Sequence, residues 1–101
     1  MFKLQPPETF RAAVEIPEPG GTVQTLPVDF KWFARADFVE YCRTGKDLPD
    51  PEFFSGMLAG WDADEPCDLA GVTKLLAYRP KAGAALFAAF SRELLEVEEK
   101  N

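Results

Sequence analysis

From Phe10 onward the chain alternates. Phe10, Ala12, Val14 and Ile16 fall on one side and Arg11, Ala13 and Glu15 on the other, the period of a strand with one buried face. Pro17-Glu18-Pro19-Gly20-Gly21 follows, where proline presets φ at the first corner and glycine accepts the positive φ of the second, so a turn is expected. A second alternation begins at once, with Leu26, Val28, Phe30 and Trp32 on one face and Pro27, Asp29 and Lys31 on the other. Two alternating runs joined by a turn predict a β-hairpin. Pro27 cannot donate to a ladder, so the second strand is expected either to bulge there or to be free on that edge, and an open edge is a docking surface.

After Trp32 the period becomes helical. Ala34 to Arg43 brings Phe38 together with Tyr41 or Cys42, and Gly45 supplies a stop. Asp50-Pro51-Glu52 predicts a helix start, with Asp50 as the cap, running inward through Phe53 or Phe54, Met57 and Leu58 and ending at Gly60-Trp61. Beyond the acidic loop Asp62 to Pro66, Asp68 is placed to cap a helix holding Leu69, Val72, Leu75 and Leu76, which Tyr78-Arg79-Pro80 breaks. The last helix is expected from about Pro80 to Glu98, with Gly83, Phe87, Phe90, Leu94 and Val97 as its stripe and Leu86 and Leu95 widening it. The prediction is a single α+β domain: an extended arm at 1–8, a hairpin at 9–33, and about four helices over 34–98.

At 101 residues the chain has room for one core, and 47% hydrophobic residues with nine Phe place it well inside the globular range. Seventeen acidic against eleven basic residues give a formal charge of -6, which repels phosphate backbones and anionic membranes alike. Neither nucleic acid nor a membrane is an expected partner, and no apolar run approaches a membrane span. Cys42 and Cys67 match neither a CxxC motif nor a disulfide framework, and Met1 to Pro7 does not read as a secretion signal. Free thiols in a reducing cytoplasm are the expectation.

The chain has no histidine, which removes the usual general base near neutral pH and the commonest metal ligand, together with every triad that needs an imidazole. Gly20-Gly21 lacks the context of a phosphate-binding loop. Asp62, Asp64, Glu65 and Asp68 lack the spaced ligands, central glycine and terminal glutamate of a calcium loop, and read instead as a solvated loop with a helix cap. A paired-carboxylate hydrolase would need an acid and a base in one cleft, for which nothing argues beyond the number of acids. No enzyme activity, catalytic residue, metal or cofactor is therefore expected.

What remains is apolar surface. Trp61, after Gly60 at the predicted helix end, either seals the core, which burial statistics favour, or anchors an interface. Leu86, Leu95 and Val97 widen the last stripe beyond what a small core needs, so they are candidates, with Trp61, for contact with a partner or with other copies.

The arrangement as a whole resembles the tail assembly chaperones of long-tailed bacteriophages. The likeness is carried by Phe2-Lys3-Leu4 with Pro7 and Thr9-Phe10, by Val14-Glu15-Ile16-Pro17 with Pro19-Gly20-Gly21, and by Val28-Asp29-Phe30-Lys31. Further on come Gly60-Trp61 before the acidic loop, Leu75-Leu76-Ala77-Tyr78-Arg79-Pro80, the Ala-rich last helix and the closing Lys100-Asn101. The resemblance implies a protein of the host cytoplasm that binds the tape measure protein and recruits tail tube protein subunits. It further implies self-association into a spiral or ring and absence from the mature virion. It also implies that a ribosomal frameshift could append a second domain; Glu99-Lys100-Asn101 permits the slippery codons GAA-AAA-AAY, an idea that GAG-AAG-AAC in the gene would remove. The competing reading, from a different class, is a small regulatory or adaptor domain docking on one folded partner.

Overall fold

The computed structural model of the chain describes residues 1–95. Val97, the glutamates at 96, 98 and 99, and the Lys100-Asn101 end lie outside them. The order is β1 (Thr9–Pro17), β2 (Val23–Lys31), α1 (Arg35–Gly45), α2 (Asp50–Ser55), β3 (Leu58–Trp61), α3 (Leu69–Tyr78) and α4 (Ala82–Leu94). This is the expected α+β architecture, a hairpin followed by four helices, with a short third strand added. Residues 1–8 precede the sheet without a regular element, and their only bond to it is from the Trp32 backbone N–H to the Glu8 carbonyl, at 2.9 Å, among the backbone bonds between described residues.

β1 and β2 pair antiparallel from Thr9 opposite Lys31 to Pro17 opposite Val23. The turn needs its glycines: Gly20 and Gly21 both have φ near +90°, which side-chain-bearing residues rarely adopt. Val14, Ile16, Val28 and Phe30 face inward and are buried, as the alternation requires. On the other face Arg11 stands opposite Asp29, and their side chains pair at 3.1 Å.

Strand β2 lies between β1 and β3, so the open edge expected of it belongs to its neighbours instead. In an antiparallel strand a residue's N and O face the same neighbour. The Pro27 carbonyl accepts from the Asp62 N–H at 3.0 Å on the β3 side, so the missing proline donor is lost from that side and costs the β1–β2 ladder nothing. The irregularity in the β2–β3 pairing falls between Asp29 and Phe30, where Asp29 meets Gly60 and Phe30 meets Leu58, leaving Ala59 of β3 as the extra residue.

Three helix boundaries differ from the sequence reading: α4 ends at Leu94, with Leu95 as its C-cap, short of the expected Glu98, and both ends of α2 shift. α2 stops at Ser55 instead of continuing to Gly60-Trp61; Gly56 closes it with its N–H on Phe53 and Phe54 carbonyls, and the chain then pairs with β2. Asp50 is the first residue of this helix and not its cap. Asp68 does cap α3, its carboxylate accepting from the Gly71 N–H at 2.8 Å, and that helix ends before Arg79-Pro80 as expected.

The core lies between the helices and one face of the sheet. Phe90 of α4 is its hub: fully buried, it meets Phe10, Phe30, Phe33, Phe38 and Tyr41 at ring-centroid distances of 5.3 to 6.4 Å. α4 turns Ala82, Leu86, Ala89 and Phe90 inward and leaves Phe87 and Leu94 only partly covered. The buried face is thus rotated from the expected stripe toward Leu86. α4 packs against β1, and the small residues Ala82 and Ala89 are among its buried positions.

Candidate interaction surface

Trp61 ends β3, and the chain turns there into the acidic loop. The indole N–H donates to the Glu65 carbonyl at 2.7 Å, which folds the loop back over the ring. Asp68 then starts α3, whose first turn must pass close to the ring. A Cβ on Gly71 would collide with the Pro66 carbonyl and come to 3.2 Å from the Trp61 ring, so glycine is what permits this approach.

The result is a cleft of about 260 Å³ between the end of β3, β2 and the outer side of α3. Its apolar wall is Leu26, Trp61, Leu75 and Tyr78, the last 74% exposed. Its rim is charged. Lys74 pairs with Glu65 at 2.7 Å, and Arg79 pairs with Glu18 of the hairpin turn. The hydrogen bond that the Lys74 ammonium donates to the Glu65 carboxylate, reinforced by the charges of Glu65 and Asp64, holds that ammonium above its ordinary pKa. Both cations are thus already matched inside the chain, whereas Asp62 and Asp64 have no ion-pair partner among the described residues. The acidic cluster therefore divides into an ion pair, a helix cap and two solvated carboxylates, and among the described residues no group of three His, Cys, Asp or Glu could hold a metal ion.

Of the four sequence candidates, the three among the described residues do not share one exposed patch. Trp61 is half-buried in the cleft, combining the sealing and the surface roles weighed for it. Leu86 is 0% exposed, so its side chain is core and adds nothing to an outer face of the folded chain. Leu95, just past the end of α4, is half-buried and packs against the core with part of its side chain open. Val97 lies outside the described residues. The structure adds apolar positions that sequence reasoning passed over: Tyr78, and Phe2 and Leu4 of the arm, which are 86% and 92% exposed. Tyr78 carries a weak signal in the sequence, an aromatic at a helix stop where little can cover it.

Burial raises the pKa of both Cys42 and Cys67, aided at Cys67 by Asp68 and Asp29, and so lowers their thiolate fraction. Both thiols are free. Tyr41, whose hydroxyl donates to the Phe53 carbonyl, is likewise shifted upward by burial. No helix among the described residues is long and apolar enough to cross a membrane. What the geometry offers is an open apolar cleft whose rim carries charges of both signs.

Comparison with curated proteins and with solved structures found no match. A family model described as phage tail assembly chaperone matches residues 1–101, the whole length, over the same arrangement of arm, hairpin and helices described above. The chain belongs to the phage tail assembly chaperone family.

Proposed function

We propose that the chain binds the tape measure protein reversibly during tail assembly, keeps that long client soluble, and recruits tail tube subunits to it. It acts in the host cytoplasm, without turnover, and leaves before the virion is complete. The match of the family model over the whole chain carries this reading. The physics agrees with it: a net charge of -6 keeps the free protein soluble, while weak apolar contacts repeated along a rod sum to strong retention. Trp61 in its cleft, Leu95 and Val97 are the proposed contact positions, for the client or for neighbouring copies in a spiral or ring.

Co-expression tests the reading. The tape measure protein is expected to remain in the supernatant when this chain is present and to pellet when it is absent. A client equally insoluble in both cases would refute it.

A further inference from the structure

We infer that the N-terminal arm of one copy docks into the Trp61 cleft of another, linking copies head to tail. This rests on the reading that copies of the chain assemble together and supplies the contact by which they do so.

The arm is built for a partner. Phe2 and Leu4 are almost wholly exposed, with Lys3 between them, and carry two large apolar side chains that nothing in their own copy covers. Pro6 and Pro7 at its base stiffen it, which lowers the entropy lost on docking. The cleft is complementary in shape and charge. Its apolar wall of Leu26, Trp61, Leu75 and Tyr78 has room for an aromatic ring. Its rim has its cations already paired and leaves Asp64 without an ion-pair partner to meet a positive charge, and Lys3 is the only charged side chain before Glu8.

The chain's own arm is poorly placed to fill its own cleft. The arm leaves the sheet beside Trp32, whereas the cleft runs from Trp61, opposite Val28, to Leu26, about 14 to 20 Å back along the strand at ~3.4 Å per residue. From Pro7 to Phe2 the arm spans only about 16 Å at ~3.1 Å per residue, and it starts out in the opposite direction. A second copy meets no such constraint. Because the donor arm and the acceptor cleft are different surfaces, each copy offers one of each, and wherever two copies do not exchange arms reciprocally the contact propagates into a ring or an open helix.

The test uses purified full-length protein without client, followed by sedimentation equilibrium. Wild type is expected to self-associate. The double variant Phe2→Ala/Leu4→Ala and the single variant Tyr78→Arg should each weaken association by about tenfold or more, because each removes an anchor from one contact. All these positions are exposed, and unchanged circular dichroism verifies the fold. The decisive arm mixes the two variants: one retains an intact cleft and the other an intact arm, so together they should form a one-to-one dimer that grows no further. A monomeric wild type, association that survives either variant, or a mixture that stays monomeric would each overturn the proposal. Solubilisation of the tape measure protein by a chain that is monomeric alone would leave the chaperone reading standing while the arm contact fell, and occupancy of the cleft by client would then be the explanation.

Discussion

Leu86→Ala separates core from contact surface. Leu86 is fully buried between α4 and the rest of the core. Truncation removes apolar carbon worth ~2.4 kcal/mol at about 0.8 per methylene-sized group. The cavity left in a packed core raises the total to about 3 to 4 kcal/mol, within the range seen for such substitutions. Set against a domain stability of ~5–15 kcal/mol, the variant should fold but be markedly weakened. Urea denaturation followed by circular dichroism reads this out: with a slope near ~2 kcal/mol per molar, the midpoint should fall by roughly 1.5 to 2 M. Leu95→Ala, at a half-buried site, should lose only about 1 kcal/mol. A Leu86→Ala midpoint within ~0.5 M of wild type, or a larger loss at Leu95 than at Leu86, would refute the assignment of these two leucines.

Other outcomes follow from single contacts. Asp68→Ala removes the cap on Gly71 and should cost about 1 kcal/mol in the same assay. Gly71→Ala gains ~1 kcal/mol of helix propensity but forces Pro66 and Trp61 apart, at a cost of about 1 to 3 kcal/mol, so net destabilisation with altered Trp fluorescence is expected. Leu95→Asp should keep a native circular dichroism spectrum yet leave less tape measure protein in solution; unfolding would place the residue in the core. Cys42 and Cys67 should react with a thiol reagent more slowly than free cysteine at the same pH, and as quickly once the protein is unfolded, because burial suppresses the thiolate.

The hairpin was legible in the sequence because one face is buried and the other wet, which forces strict alternation, and because Gly20-Gly21 leaves the chain few other conformations. The start of α3 was legible from a single carboxylate. Strand β3 was not: four residues are too short to show a period, and Phe53, Met57 and the apolar residues after them continue a helical spacing that only pairing with β2 overrides. The face of α4 was misread because Ala82 and Ala89, both buried beside Leu86, carry little weight in a hydrophobic stripe, so the larger Phe87 and Leu94 draw the stripe to a face that is only partly covered. Of the interaction surface, Trp61 was visible as a large aromatic at an element end. The cleft around it was not, since it joins Leu26, Trp61 and Tyr78 across distant parts of the chain.

The most direct test of binding as the chain's mode of action is the mass of its complex with the tape measure protein, measured by light scattering on the purified co-expressed pair. Many copies per client, each recovered chemically unchanged after dissociation, is the predicted result. A tape measure protein that elutes alone, with every copy of this chain in a separate peak, would contradict it.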